Sequence, residues 1–229
     1  MSSQQKVTSD IEIVVAEDPA RNVAERLAAA ARKGGHVVLT GGSTPRIAYA
    51  LAAELETDWT AAELWWGDER CVAPDDERSN YGMAKQALLD HVALGPVHRM
   101  RGELGRDQGA EQYEQELGEL ERFDLVLLGL GPDGHIASLY PDQPTLDETE
   151  RRVIGAEAKL EPYVDRITLT LPMLRLAREV LFLVTGKDKA DAAKRAFRGE
   201  PSHATPGSLV RAAKGTTTAV LDADAAASL

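Results

Sequence analysis

One cysteine in 229 residues, Cys71, leaves no partner for an intrachain disulfide and too few thiolates for a cysteine-based zinc cluster. A reducing cytoplasm suits such a chain. No stretch approaches the roughly 18 consecutive apolar residues of a transmembrane helix. Met1 to Asp10 is polar and lacks the basic-then-apolar order of a signal peptide, so residues 1–9 are expected to form a flexible N-terminus. Bases are short relative to acids: 26 Lys plus Arg face 37 Asp plus Glu, a net charge of −11. That balance argues against broad binding of nucleic acid or anionic membrane. A small anionic substrate would need a locally basic pocket.

What is present is an ordinary soluble composition, 43% apolar and 28% charged, with enough chain for a substantial core. No internal repeat or low-complexity tract divides it, and a single domain over residues 1–229 is the simplest reading. Short apolar runs alternate with amphipathic segments. Strands are expected at Ile11–Ala16, His36–Thr40, Leu64–Gly67, Phe123–Leu130, Arg166–Leu171, Val180–Thr185 and Thr216–Leu221. Helices are expected at Pro19–Arg32, Arg46–Glu54, Ser79–His91 with Ser79 as N-cap, Gln108–Glu121, Asp188–Phe197 and, short and alanine-rich, Asp222–Leu229. This order predicts an α/β fold, a largely parallel sheet covered by helices on both faces. Ligands of such sheets bind beyond the carboxyl ends of the strands, which directs attention to the loops at Gly41, Gly67, Gly129 and Gly186.

The loop Thr40-Gly41-Gly42-Ser43-Thr44-Pro45 combines two glycines, two hydroxyls and a proline suited to a helix start. Free amides and a helix N-terminus make an anion site there, although a tight turn with a threonine cap reads equally well. The loop is neither a Walker A sequence nor a nucleophile elbow. Gly67-Asp68-Glu69-Arg70 follows an apolar strand, and Asp68 and Arg70 emerge nearest the strand end. The acids that follow, Asp75, Asp76 and Glu77, read as a solvated loop and only weakly as a metal site. Gly129-x-Gly131-x-x-Gly134 matches a dinucleotide fingerprint on paper. Asp133 would set a carboxylate against the pyrophosphate and Pro132 removes an amide, so that reading is rejected. The polar pair Asp133 and His135 offers instead an acid that orients a titratable base, or else a structural contact. Lys189 stands at a helix N-terminus, where a cation offends the dipole unless an anion shares the place. His36, His91, His98 and His203 show no partner pattern and read as packing or surface residues.

Six segments in order carry a resemblance: L-T-G-G-S-T-P at 39–45, G-D-E-R at 67–70, S-N-Y at 79–81, G-L-G-P-D-G-H-I-A-S-L-Y-P at 129–141, R-I-T-L-T at 166–170 and T-G-K-D-K-A at 185–190. A closing L-D-A-D-A-A at 221–226 fits as well. Together they resemble the glucosamine-6-phosphate isomerase/6-phosphogluconolactonase family. Tyr140 stands where the deaminase branch carries a glutamate, and Asp68-Glu69-Arg70 where it carries D-E-Y, so the lactonase branch is favoured. The late strand Thr216–Leu221 lacks a tryptophan often found in that branch.

The resemblance implies a modified Rossmann-like α/β fold and a monomeric enzyme that takes a phosphorylated sugar or sugar lactone without cofactor, with no metal required; the cysteine usage places it in the cytoplasm. It implies that Gly41, Gly42, Ser43, Thr44, Arg166 and Lys189 hold the phosphate, Lys189 being preferred to Lys187 through the family pattern. His135 would be the general base, with Asp133, Asp68 and Arg70 around the reacting carbon. The implied reaction is hydrolysis of 6-phospho-D-glucono-1,5-lactone. A sugar-phosphate deaminase or isomerase, or a sugar-phosphate sensor without catalysis, is the alternative.

Overall fold

Six parallel strands, ordered against their sequence positions, form the main sheet of the computed structural model, which describes residues 11–159 and 161–229. The expected flexible stretch at residues 1–9 lies outside the described residues. The chain runs through β1 (Ile11–Val15), α1 (Pro19–Lys33), β2 (Gly35–Leu39), α2 (Ser43–Leu55), β3 (Asp58–Trp59), β4 (Ala62–Trp66) and β5 (Asp68–Arg70). It continues with α3 (Asn80–Ala87), β6 (Ala93–Leu94), α4 (Arg106–Leu117), β7 (Phe123–Leu128), β8 (Val153–Ala156) and β9 (Arg166–Leu169). It ends with α5 (Leu171–Arg175), β10 (Ala177–Val184), α6 (Ala190–Arg198) and β11 (Thr216–Leu221). The main sheet has the order β1-β11-β10-β7-β2-β4.

The central strands β7, β10 and β11 are buried at successive residues. Side chains alternate between the two faces of a strand, so both faces are covered, as a parallel sheet requires. α1 shows how the sequence fixes a covering helix. Asp18 caps it by accepting the Arg21 N–H at 2.9 Å, and Pro19 opens it. Val23, Ala24, Leu27 and Ala31 bury one stripe.

Three expectations change. Arg166–Leu171 does not join the main sheet: β9 is the middle strand of a separate antiparallel sheet, β5-β9-β8. Its partners lie about a hundred residues away for Asp68↔Thr168, a pairing that no local pattern announces. Asp222–Leu229 forms consecutive turns rather than a helix. The Asp222 carboxylate accepts N–H groups of Gly186 at 2.9 Å and Ala225 at 2.7 Å, and so ties the chain end to the loop after β10. α2 begins at Ser43, which makes Pro45 its third residue. His98 behaves as a packing residue yet has partners: its ring stacks on Trp65 at 3.8 Å and its two nitrogens lie 2.9 and 3.0 Å from Glu116 and Glu63.

The main sheet and the small one meet where the site lies. β4 leads through Gly67 directly into β5, so the chain steps from a parallel sheet into an antiparallel one within a single residue. Phe182 in β10 is fully buried against Phe197 of α6, ring centroids 5.1 Å apart. Phe182→Ala should cost about 3–5 kcal/mol. In a domain of this size that lowers the melting temperature by roughly 10 °C. Thermal and urea unfolding check this, and a loss below about 1 kcal/mol would contradict the central place of β10.

Candidate active site

A cleft of about 260 Å³ opens beyond the carboxyl ends of β2, β7 and β10, lined by Thr40–Pro45, Asp68, Arg70, Asn80, Gly129–Gly131, His135–Ala137, Leu183–Thr185 and Lys189. Most of the residues singled out from sequence therefore meet in one place. At one end, Gly42 (φ 119°) precedes α2, and no side chain caps that helix. The first-turn N–H groups of a helix have no internal acceptor, and here they stay available to an anion beside the hydroxyls of Ser43 and Thr44. The Thr44 hydroxyl lies 2.8 Å from that of Thr185, which joins the exits of β2 and β10. Lys189 lines the cleft beside them, and Lys187 does not.

At the other end, His135 Nδ1 lies 2.6 Å from Asp133 Oδ1, and the same oxygen accepts the His135 N–H at 3.1 Å. Burial draws the Asp133 carboxyl upward, but the hydrogen bond and charge of His135 outweigh it, so it ionises below the ordinary carboxylate range. An ionised Asp133 holds the proton on Nδ1 and leaves Nε2 as an acceptor. Asp133 itself stands behind the ring rather than in the cleft lining. The glycines explain the apparent dinucleotide fingerprint. Gly131 and Gly134 spend their N–H groups on His135 O and Gly131 O, inside the turn. A Cβ on Gly131 would stand 2.0 Å from His135 Nδ1, so the glycine makes room for the imidazole.

Between the two ends lie Asp68 and Arg70. Asp68 is 7% exposed; one carboxylate oxygen accepts Ser138 Oγ at 2.7 Å and the other Asn80 Nδ2 at 3.2 Å. Ser138 is aimed there by a turn in which Ala137 adopts φ 45°, a left-handed conformation costly for a residue with a Cβ. Arg70 donates to the Arg78 carbonyl, and its buried Nε has no hydrogen-bond partner among the described residues. Arg70 also lines the cleft, where a guanidinium suits a developing negative charge. Cys71 next to it is no nucleophile: burial first, then the charge of Asp165, pushes its thiol up to about 11.

Arg166 is the one residue of the expected phosphate set that the structure does not bring to the cleft. It is 3% exposed, and its guanidinium donates to the carbonyls of Val164 at 2.7 Å and Pro162 at 3.1 Å. These acceptors turn it toward the 161–165 turn. Sequence reasoning missed three residues that the site uses. Asn80 lines the cleft and donates to both the carbonyl and the carboxylate of Asp68. Its Oδ1 would stand 2.0 Å from a Cβ on Gly41, so that glycine admits the amide. Ser138 holds Asp68, and Glu69 fastens β5 to α3. The only signals were the bare S-N-Y and A-S-L triplets and the middle acid of G-D-E-R, which carry no chemistry until Asp68 is placed.

The family model described as glucosamine-6-phosphate isomerases/6-phosphogluconolactonase matches residues 12–219, and the chain belongs to that family. It is 40% identical to a 6-phosphogluconolactonase of Streptomyces coelicolor, over 99% of this chain and 94% of that protein. It is 38% identical to one of Mycobacterium tuberculosis, over 100% and 99% of the two chains. The solved 6-phosphogluconolactonase of Trypanosoma cruzi superposes with a TM-score of 0.86 at 28% identity, covering 99% of each chain.

Two outcomes test this geometry. Gly131→Ala should leave the fold intact by circular dichroism and lower kcat about 10²-fold by displacing the ring; full activity would mean that the His135 position is irrelevant. A carboxyl depressed on folding stabilises the native state above its unfolded pKa of about 3.9, and that contribution is lost as pH falls through the lower folded value. Wild type should therefore lose stability below about pH 4 more steeply than Asp133→Asn. Equal acid sensitivity in denaturant titrations would contradict the Asp133–His135 pairing.

Proposed function

We propose that this cleft hydrolyses 6-phospho-D-glucono-1,5-lactone to 6-phospho-D-gluconate, the lactone step of the oxidative pentose phosphate pathway, with His135 as general base. The observation that carries the reading is that a carboxylate-held imidazole and an uncapped helix N-terminus with Lys189 line one cleft. The relatives named 6-phosphogluconolactonase support the same chemistry. Ser43, Thr44, the Gly41–Gly42 amides and Lys189 hold the phosphate, and that remote binding energy orients the ring. Arg166 has no part in this grouping.

Water adds to C1 as His135 Nε2 takes its proton. The carbonyl electrons move onto oxygen, and the oxyanion is met by Arg70 donors. Collapse breaks the bond from C1 to the ring oxygen, which leaves with the proton held by the imidazolium. Asp133 stabilises that imidazolium, and Asp68 fixes substrate hydroxyls. No covalent intermediate and no cofactor is needed for these steps. The whole chain acts as one domain, as a monomer in the cytoplasm, a part of the proposal that rests on the sequence resemblance.

The decisive assay follows hydrolysis of freshly generated lactone against its spontaneous rate. His135→Ala should lower kcat by about 10²–10⁴-fold with little change in KM. Lys189→Ala should mainly raise KM. No acceleration by folded wild-type protein would sink the proposal, and an unchanged kcat in His135→Ala would remove the base.

A further inference from the structure

Two tyrosines buried on different helices end the two strands that carry the cleft, and each does so with its hydroxyl on the backbone. Thr40 lies one residue beyond β2, past the last residue of either of that strand's ladders. Its N–H donates to Tyr49 Oη at 2.8 Å and its carbonyl accepts from the same hydroxyl at 2.8 Å. Tyr49 belongs to α2, whose first residues are Ser43 and Thr44. Only Gly41 and Gly42 separate the clamped strand end from the clamped helix, so the two bonds fix the distance that the loop must span.

Tyr113 of α4 repeats the device at the neighbouring strand. The Trp66 N–H, at the end of β4, donates to Tyr113 Oη at 2.9 Å, and that hydroxyl donates to the His98 carbonyl at 3.2 Å. Among the described residues β4 is the sheet edge, joined outward through the Leu64↔Val97 bridge, so the tyrosine supplies what a further strand would. One glycine later β5 begins with Asp68. Both tyrosines are fully buried. A phenylalanine would serve packing equally well, and the hydroxyls are spent wholly on backbone at the two points where the ladders stop.

We infer that Tyr49 and Tyr113 are separate positioning residues for the two halves of the reaction, Tyr49 for the anion loop Gly41–Thr44 and Tyr113 for Asp68 and Arg70. The inference rests on the proposed lactonase reading of the cleft. It makes the two halves independently breakable, because the hydroxyls act on different strands from different helices.

The test is steady-state kinetics of Tyr49→Phe and Tyr113→Phe with the phosphorylated lactone, together with inhibition by inorganic phosphate. Val38→Ala, a buried residue of β2 outside the cleft lining, is the control for destabilisation alone. Tyr49→Phe should raise KM and the phosphate inhibition constant about tenfold with kcat within about twofold, the scale of buried backbone groups left unsatisfied. Tyr113→Phe should lower kcat about tenfold and leave phosphate inhibition within about twofold. Both variants behaving like Val38→Ala, with lower melting temperatures and unchanged constants, would overturn the inference. So would failure of either phenylalanine variant to fold while Val38→Ala folds. Lys189→Ala separates this from failure of the functional reading. If that variant leaves phosphate inhibition unchanged, the anion site is wrong; if it weakens inhibition and Tyr49→Phe does not, only the tyrosine inference is wrong.

Discussion

The cleft depends on one buried carboxylate that never enters it. Glu69 is 2% exposed and accepts the N–H groups of Arg70 at 2.7 Å, Asn80 at 2.7 Å and Tyr81 at 2.8 Å, and the Ser79 hydroxyl at 2.9 Å. Burial pushes this carboxyl up, against the pull of its four donors. The bonds knot β5 to the N-terminus of α3, where a negative charge also meets the helix dipole favourably. Because successive side chains of a strand face opposite ways, a Glu69 turned into α3 leaves Asp68 and Arg70 turned toward the cleft. The same knot sets Asn80 against Asp68 and Gly41. Hydrogen bonds to a charged group are worth about 1.5–3 kcal/mol each, enough for this contact to hold a three-residue strand that could not pair alone.

Room is the second constraint, and two glycines supply it by being smaller than their neighbours require. Gly41 accommodates the Asn80 amide and Gly131 the His135 imidazole. Neither has the positive φ that usually explains a glycine in a turn. These two glycines thus report side chains that must fit beside them, Asn80 from α3 and His135 from the same turn. That is why Gly129-x-Gly131-x-x-Gly134 imitates a dinucleotide loop while its N–H groups close a turn around a histidine.

Much of this was legible in advance, for a physical reason. Strands β2, β7, β10 and β11 are covered on both faces and so read as continuous apolar runs, and their exit loops follow by topology. The loop Thr40–Pro45 and the Asp133–His135 pair were singled out because each lies within a few residues of such an exit, whereas Lys189 was preferred to Lys187 through the family pattern. The small sheet was not legible. β5, β8 and β9 are three or four residues long, and β5 pairs with β9 across a long separation, Asp68 with Thr168. Arg166 was grouped with the phosphate ligands because family pattern places it there, and only the fold reveals carbonyls occupying its guanidinium. Tyr49, Tyr113 and Asp222 act through backbone atoms, and a backbone partner leaves no mark in a sequence.

Charge completes the picture. The chain carries −11 overall, and the proposed substrate is an anion, so long-range attraction is unavailable. Screening confines that repulsion to about 8 Å at physiological ionic strength. On the proposed reading, capture rests on Lys189 and the amides at the start of α2, which act only at contact. The reaction changes the balance. Opening a lactone converts a neutral carbonyl into a carboxylate and releases a proton, so the product bears a second anionic end. In the proposed mechanism that end forms beside Asp68 and His135, with the Asp133 carboxylate behind the ring, and the released proton comes from the new carboxylic acid. On that proposal the Asp68 and Asp133 carboxylates disfavour the product's new charge, and a cleft binding one anionic end firmly and repelling the other is suited to releasing what it makes.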